Sequence, residues 1–129
     1  MSLETESVRE WAVRGAMLFA AAIQCLPIVG VAGRAALRRL YAVSIEDSAT
    51  ELLLRHRAVV LALLGVVIAV GALRPAHRSL ALCVGLASKG AFLILWAKSP
   101  PLGAALARVA RADVLSALAL ALAALVRWR

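Results

Sequence analysis

Charged and polar positions divide this chain into four long apolar stretches. The first runs from Trp11 to Val31, with Pro27, Gly30 and Gly33 loosening its far end. The second belongs to a helix that starts near Ala49, holds Glu51, Arg55, His56 and Arg57 in its first turns, and has its apolar body from Ala58 to Leu73. Arg74-Pro75 stops it, because the residue before a proline is pushed out of helical geometry. The third stretch runs from Leu80 to Trp96 and closes at Lys98, Ser99, Pro100 and Pro101. A short lead from Leu102 enters the fourth, Val109 to Val126, which Arg127, Trp128 and Arg129 anchor. Stretches of about 20 mostly apolar residues match a bilayer's hydrocarbon thickness. The pattern predicts spans at 11–31, 52–73, 80–97 and 109–126.

The connections supply the topology. Pro75 to Ser79 is tight, so spans two and three are antiparallel neighbours. Between spans one and two, GRAALRRLYA sets Arg34, Arg38 and Arg39 against Leu37, Leu40 and Tyr41 on a helical wheel. That separation predicts a short helix lying in the interface. Asp47 or Ser48 is the expected N-cap of the second span. The expected fold is all-α: a single domain over residues 1–129, an antiparallel four-helix transmembrane bundle with an interfacial helix between its first two spans. Both termini then lie on one side, side A, with Arg9, Arg14, Arg74, Arg78, Arg127 and Arg129. Side B holds Arg34, Arg38, Arg39, Arg55, Arg57, Lys98, Arg108 and Arg111. The slight excess on side B leans toward that side being cytoplasmic.

Composition supports a membrane setting. The chain is 64% hydrophobic over 129 residues, more than a soluble domain of that length would carry. Its formal charge of +8 would suggest nucleic acid in a soluble protein. Here the basic residues flank apolar runs, so they are read as anchors to anionic headgroups, and membrane lipids replace nucleic acid as the expected partner. Glu4, Glu6 and Glu10 against a single early Arg9 do not make the basic start of a cleavable signal. Ala22, Ile23 and Gln24 before Cys25 make a poor lipoprotein box, so the first stretch is kept as a span. Richness in Ala, Arg, Gly and Leu fits a bacterium with a GC-rich genome, and the expected location is its inner membrane, crossed several times.

Function has to be read from a few polar residues. Lys89 sits near the middle of the third stretch, where a charge costs about 3 kcal/mol on insertion scales, so a partner or a task is expected. Its own helix tilts it toward side A. Pairing with Asp113, which leans the other way, is therefore not the favoured geometry. Other partners are a carbonyl freed by Pro27, water, or a ligand's acidic group. Gly85 and Ser88 beside it serve close helix packing or leave room for a ligand. Near side B, Gln24, Glu51, Arg55, His56, Arg57 and Asp113 form an expected polar cluster. Asp113, four residues inside Val109, should contact Arg55 or Arg57. That cluster either glues helices two and four or forms a pocket mouth for an anionic or quinone-like headgroup, where an arginine fork suits carboxylate and phosphate and His56 moves a proton.

Several chemistries are set aside. His56 and His77 fall on opposite sides, so no histidine metal site is expected. Cys25 and Cys83 fall near opposite leaflets, too far apart to bridge. No Gly-rich phosphate loop, nucleophile elbow or zincin helix is present.

The segments LPIVGVAG, RRLYAV, LLLRHRAVVLALLG, GALRPAHRSLAL and RVARADVLSALAL resemble a family of small bacterial four-span proteins often labelled phosphopantetheine adenylyltransferase. The soluble adenylyltransferase uses an HxGH motif that is absent here, so that activity is rejected. The architecture is similar to the DoxX-like group, some of which are linked to quinone-dependent complexes. The resemblance points at Arg55, His56, Arg57 and Asp113 and assigns none of them a catalytic role. The leading expectation is a non-enzymatic binder of a small amphiphile, an anionic lipid or a quinone, through Gln24, Arg55, His56, Arg57, Lys89 and Asp113. Alternatives are an accessory subunit of a larger membrane complex and a small dimeric transporter.

Overall fold

The computed structural model describes residues 3–100 and 104–128, with side chains described from residue 6 onward and not at residue 105. Pro101, Leu102 and Arg129, read above as parts of a connection and an anchor, lie outside the described residues, as does the side chain of Glu4. The described residues are helical and contain no strand. Helix α1 spans Leu3–Cys25 and continues as a 3-10 turn over Leu26–Ala32. Helix α2 is Arg34–Tyr41, α3 is Ser48–Leu73, α4 is Arg78–Lys98 and α5 is Ala104–Trp128. Four stretches are long and apolar enough to cross a membrane: Glu6–Ala32, Ser48–Leu73, Pro75–Lys98 and Leu106–Trp128.

Local chemistry explains the boundaries. Pro27 supplies no amide to the helix ladder, and the chain tightens there into 3-10 geometry instead of kinking within α1. Gly33, at φ 109, turns the chain from that segment into α2 through a conformation closed to residues with a Cβ. Helix α2 buries Leu37 and Tyr41 and exposes Arg38 and Arg39, as the wheel predicts. Asp47 caps α3 by accepting the Thr50 amide at 2.7 Å. Hydrogen bonds from Thr50 hold its carboxyl below the usual aspartate range. Arg74 leaves helical geometry before Pro75, and the three-residue 3-10 turn Pro75–His77 leads into α4.

The helices α1, α3, α4 and α5 share one core. Met17, Ile68, Leu82 and Leu120, one from each, are fully buried there. Around them are buried alanines, including Ala20, Ala72, Ala81 and Ala123. Small residues let helix backbones approach closely, so packing is gained where bulky side chains would hold the helices apart. Two glycines on α3 mark the tightest approaches. A Cβ on Gly71 would collide with that of Ala81 on α4, and one on Gly65 would strike Cys25 Sγ on α1. Gly85 on α4 does the same for Leu120 and Ile68, so its part near Lys89 is close packing. A second cluster, Leu37, Tyr41 and Ile45 with Leu54, Leu106 and Val109, fixes α2 against α3 and α5.

The main correction concerns α5. The apolar pattern starts the fourth span at Val109, just after Arg108, with a short lead from Leu102. The helix instead begins at Ala104. Asp113 is therefore nine residues into the helix, about 13 Å along the axis at 1.5 Å per residue.

Candidate ligand site

Lys89 and Asp113 form an ion pair between α4 and α5. Their side chains are 4% and 16% exposed, so the pair is sheltered but not sealed. This overturns the expected contact of Asp113 with Arg55 or Arg57. Register explains why. Lys89 lies nine residues before Lys98, where α4 ends, and Asp113 lies nine after Ala104, where α5 begins. Equal distances from the connection place the two at one level. The tilt of a helical side chain shifts its reach by about one residue, which a four-carbon lysine stem easily makes up. The carbonyls around Pro27 are not needed as partners.

Above this pair, toward the α4–α5 connection, lies a cavity of about 670 Å³. Gln24 and Pro27 from the end of α1, Tyr41 from α2, Arg57 from α3 and Phe92 and Trp96 from α4 contribute to its wall. Along α4 and its C-cap it extends from Ser88 to Ser99, about 16 Å, and on α5 from Leu106 to Asp113, about 10 Å. Its size falls within the usual range for small-ligand sites, about 300–1,000 Å³. The wall is mostly apolar side chains, with polar groups at two levels. Deep in the cavity are Gln24, Ser88, Lys89 and Asp113. Nearer the helix ends are Arg39, Arg57 and Arg108.

The three arginines have no acidic partner among the described residues. Arg57 is held by aromatic faces instead. Its guanidinium carbon lies 5.5 Å from the Tyr41 ring centroid and 5.6 Å from that of Phe92. Such stacking fixes a guanidinium while leaving its N–H edge free to bind. Arg39 and Arg108 are exposed. Since Lys89 is balanced by Asp113, the positive charge left over on the wall belongs to the arginines.

Gln24 is 2% exposed and its Oε1 is buried without a hydrogen-bond partner. It stands on the cavity wall, so the unmet acceptor belongs to this site and not to a remote packing fault.

Of the six residues expected at the site, Gln24, Arg57, Lys89 and Asp113 line the cavity. Arg55 and His56 do not; both are exposed on α3. Helical phase separates them, since one residue turns about 100° and two about 200°, so only Arg57 of the three faces inward. Glu51 pairs with Arg34 at 2.6 Å and Arg55 at 3.8 Å and stays outside the cavity. The sequence reading missed Arg39, Tyr41, Phe92, Trp96 and Arg108. The wheel of α2 carries a signal for Tyr41, as an aromatic beside basic residues at a helix end. Phe92 carries a weaker one: it is three residues from Lys89, the spacing of one helix face.

A second polar cluster went unread. Arg78, at the start of α4, grips Glu10 of α1 with two hydrogen bonds of 2.7 Å. It also donates to the carbonyls of Gly71 and Ala72, at 3.3 and 3.2 Å. Arg14, expected to snorkel to headgroups, bonds Glu10 at 3.2 Å and stacks on Trp11 at 5.2 Å. Every nitrogen of the Arg78 guanidinium has a partner within the fold, while Arg14 Nε is buried without one, and the arrangement ties α1 to α4. The described residues hold no group of three or more metal-ligating side chains.

Set against family models, curated proteins and solved structures, the chain matches none.

Proposed function

We propose that this chain is an integral membrane protein that binds an anionic amphiphile in the cavity lined by all five helices, α1 to α5. In this reading the four long helices cross the bilayer in antiparallel order and α2 lies at the interface. Two observations support insertion. Large apolar side chains such as Leu63, Leu80, Leu118, Leu122 and Leu125 are about 60% exposed along the outer faces, a surface that suits acyl chains. The small-residue core matches the packing that associates helices in lipid. A bacterial inner membrane as its location and the DoxX-like resemblance belong to the same proposal.

One observation carries the ligand reading: three arginines without acidic partners on the wall of a largely apolar cavity. An apolar slot with cations near its mouth matches an acid with a hydrocarbon chain. Arginine forks bind carboxylate or phosphate in two places at once. A quinone would use the apolar slot but would leave the guanidinium groups without a counter-charge, so the arginines favour an acid. No reaction is assigned to the cavity.

Trp96 lines the cavity and serves as a reporter. With Trp11 and Trp128 changed to phenylalanine, titration with stearate in detergent should give a saturable change in Trp96 emission. Replacing Arg39 and Arg108 together by glutamine should weaken it by tenfold or more, since hydrogen bonds to charged groups contribute about 1.5–3 kcal/mol each. An unsaturable response, or one indifferent to the arginines, contradicts the reading.

A further inference from the structure

The two polar levels of the cavity differ in charge, and the difference restricts the ligand. The outer level carries Arg39, Arg57 and Arg108 with no acid opposite them. The inner level is neutral in sum, because Lys89 and Asp113 cancel. An acid placed at the inner level would face the Asp113 carboxylate, and a cation would face Lys89. Neither charge is favoured there, yet hydrogen-bonding capacity is left over. Of the three protons on the Lys89 ammonium, one is committed to Asp113. The Gln24 amide is buried at the wall with its Oε1 unpartnered. A buried acceptor without a donor is uncommon in a native fold and calls for something to fill it. The terminal torsion of glutamine is broad, so a small turn of the amide presents it to the cavity.

We infer that the inner level receives a neutral hydroxyl, which donates to Gln24 Oε1 and accepts from the Lys89 ammonium. The ligand is then a single-chain acid with a hydroxyl along its chain. Its acidic end sits among the arginines, and its hydroxyl lies deeper. From Arg108 to Asp113 is five residues of α5, so the two groups are about 7–8 Å apart along the helix axis. This inference rests on the proposed binding of an anionic amphiphile and specifies what that amphiphile carries. A plain acyl chain would leave Gln24 unpaired and place methylenes against an ion pair. A hydroxyl at that distance from the acid removes both penalties.

The test compares stearate with a hydroxystearate whose hydroxyl lies about 7–8 Å along the chain from its carboxylate, in the Trp96 assay, on wild-type protein and on Gln24→Met. Methionine has nearly glutamine's volume and offers no strong acceptor. The wild type should prefer the hydroxylated acid by roughly fivefold or more, the factor that one net hydrogen bond of about 1 kcal/mol provides. In Gln24→Met the preference should fall to about one, with stearate binding held or improved. Equal affinities in the wild type overturn the inference and leave the anionic-amphiphile reading standing. So does a preference that survives in Gln24→Met. Binding of neither acid overturns both. If Gln24→Met does not fold, the wild-type ratio still decides, and stearyl alcohol, which lacks the acid, should bind more weakly than either acid.

Discussion

The ammonium of Lys89 meets the carboxylate of Asp113 at the level where α4 and α5 are equally far from their connection. Each removes from the other the cost of a lone charge among apolar side chains. The relation is mutual, so the two positions should not behave as independent sites. Lys89→Met alone leaves a carboxylate without its partner. It should lower stability in detergent by roughly 1–2 kcal/mol, the scale of a lost intramembrane polar contact. Asp113→Leu alone should cost a similar amount. The double change Lys89→Met, Asp113→Leu should recover most of it, because an apolar pair of like volume often replaces an ion pair without loss. Thermal melting of the four proteins provides the cycle. Additive losses would show that the two residues do not act as a pair.

Arg78 and Glu10 join the first helix to the start of α4 through a two-point contact, with Arg78 6% exposed. Arg78→Lys keeps the charge but cannot reproduce the fork or also reach the carbonyls of Gly71 and Ala72. It should lower stability by about 2 kcal/mol, as should Glu10→Ala, since hydrogen bonds to charged groups fall in that range. Unfolding followed by circular dichroism in detergent reads this directly. An unchanged midpoint in both variants would mean that the contact does not hold the helices.

Gly71 lies where α3 and α4 touch through their backbones, with Ala81 occupying the space a side chain would need. Gly71→Val should destabilise the bundle by about 1–3 kcal/mol through overpacking. Gly90, which has nothing within 4 Å of its missing Cβ, is the control. Gly90→Ala should be neutral or slightly stabilising, since glycine within a helix is disfavoured against alanine by about 1 kcal/mol. The contrast in melting temperature separates a packing role from a general effect of adding bulk.

These cases show what the pattern of residues made legible. The helices were readable because the apolar runs are long and the stops at Arg74-Pro75 and Ser99-Pro100 are strong. The wheel of α2 and the cap at Asp47 could be read for the same local reasons. The pairings could not. The tilt of Lys89 points it away from Asp113, and the basic residues near Val109 hide more than a turn of α5, which starts at Ala104. Glu10 was read only for its sign near the N-terminus, since nothing local announces a partner 68 residues away. Of the cavity, the residues already conspicuous as polar or charged within apolar runs were found. The arginines of α2 and α5 were assigned to headgroups, because their convergence depends on how three helices pack.

Cys25, at the end of α1, and Cys83, in the first half of α4, are free thiols in different surroundings. Cys83 is exposed. Cys25 is partly buried and points its Sγ at the Ala62 carbonyl, 3.7 Å away. Copper-phenanthroline should produce no intramolecular disulfide. An apolar maleimide should label Cys83 several times faster than Cys25, with rates followed by mass spectrometry. An internal crosslink, or the reverse order of labelling, would contradict this placement of the two helices.

The central claim, that the cavity holds an anionic amphiphile, is tested most directly by native mass spectrometry of the gently extracted protein beside Ser88→Trp. Ser88 is on the cavity wall, and an indole there fills the inner level without touching the arginines' charge. The account predicts one acidic amphiphile per wild-type chain, absent from Ser88→Trp while its helix content is kept. A wild-type chain that carries no bound acid, or a variant that retains the same molecule at the same stoichiometry, would contradict it.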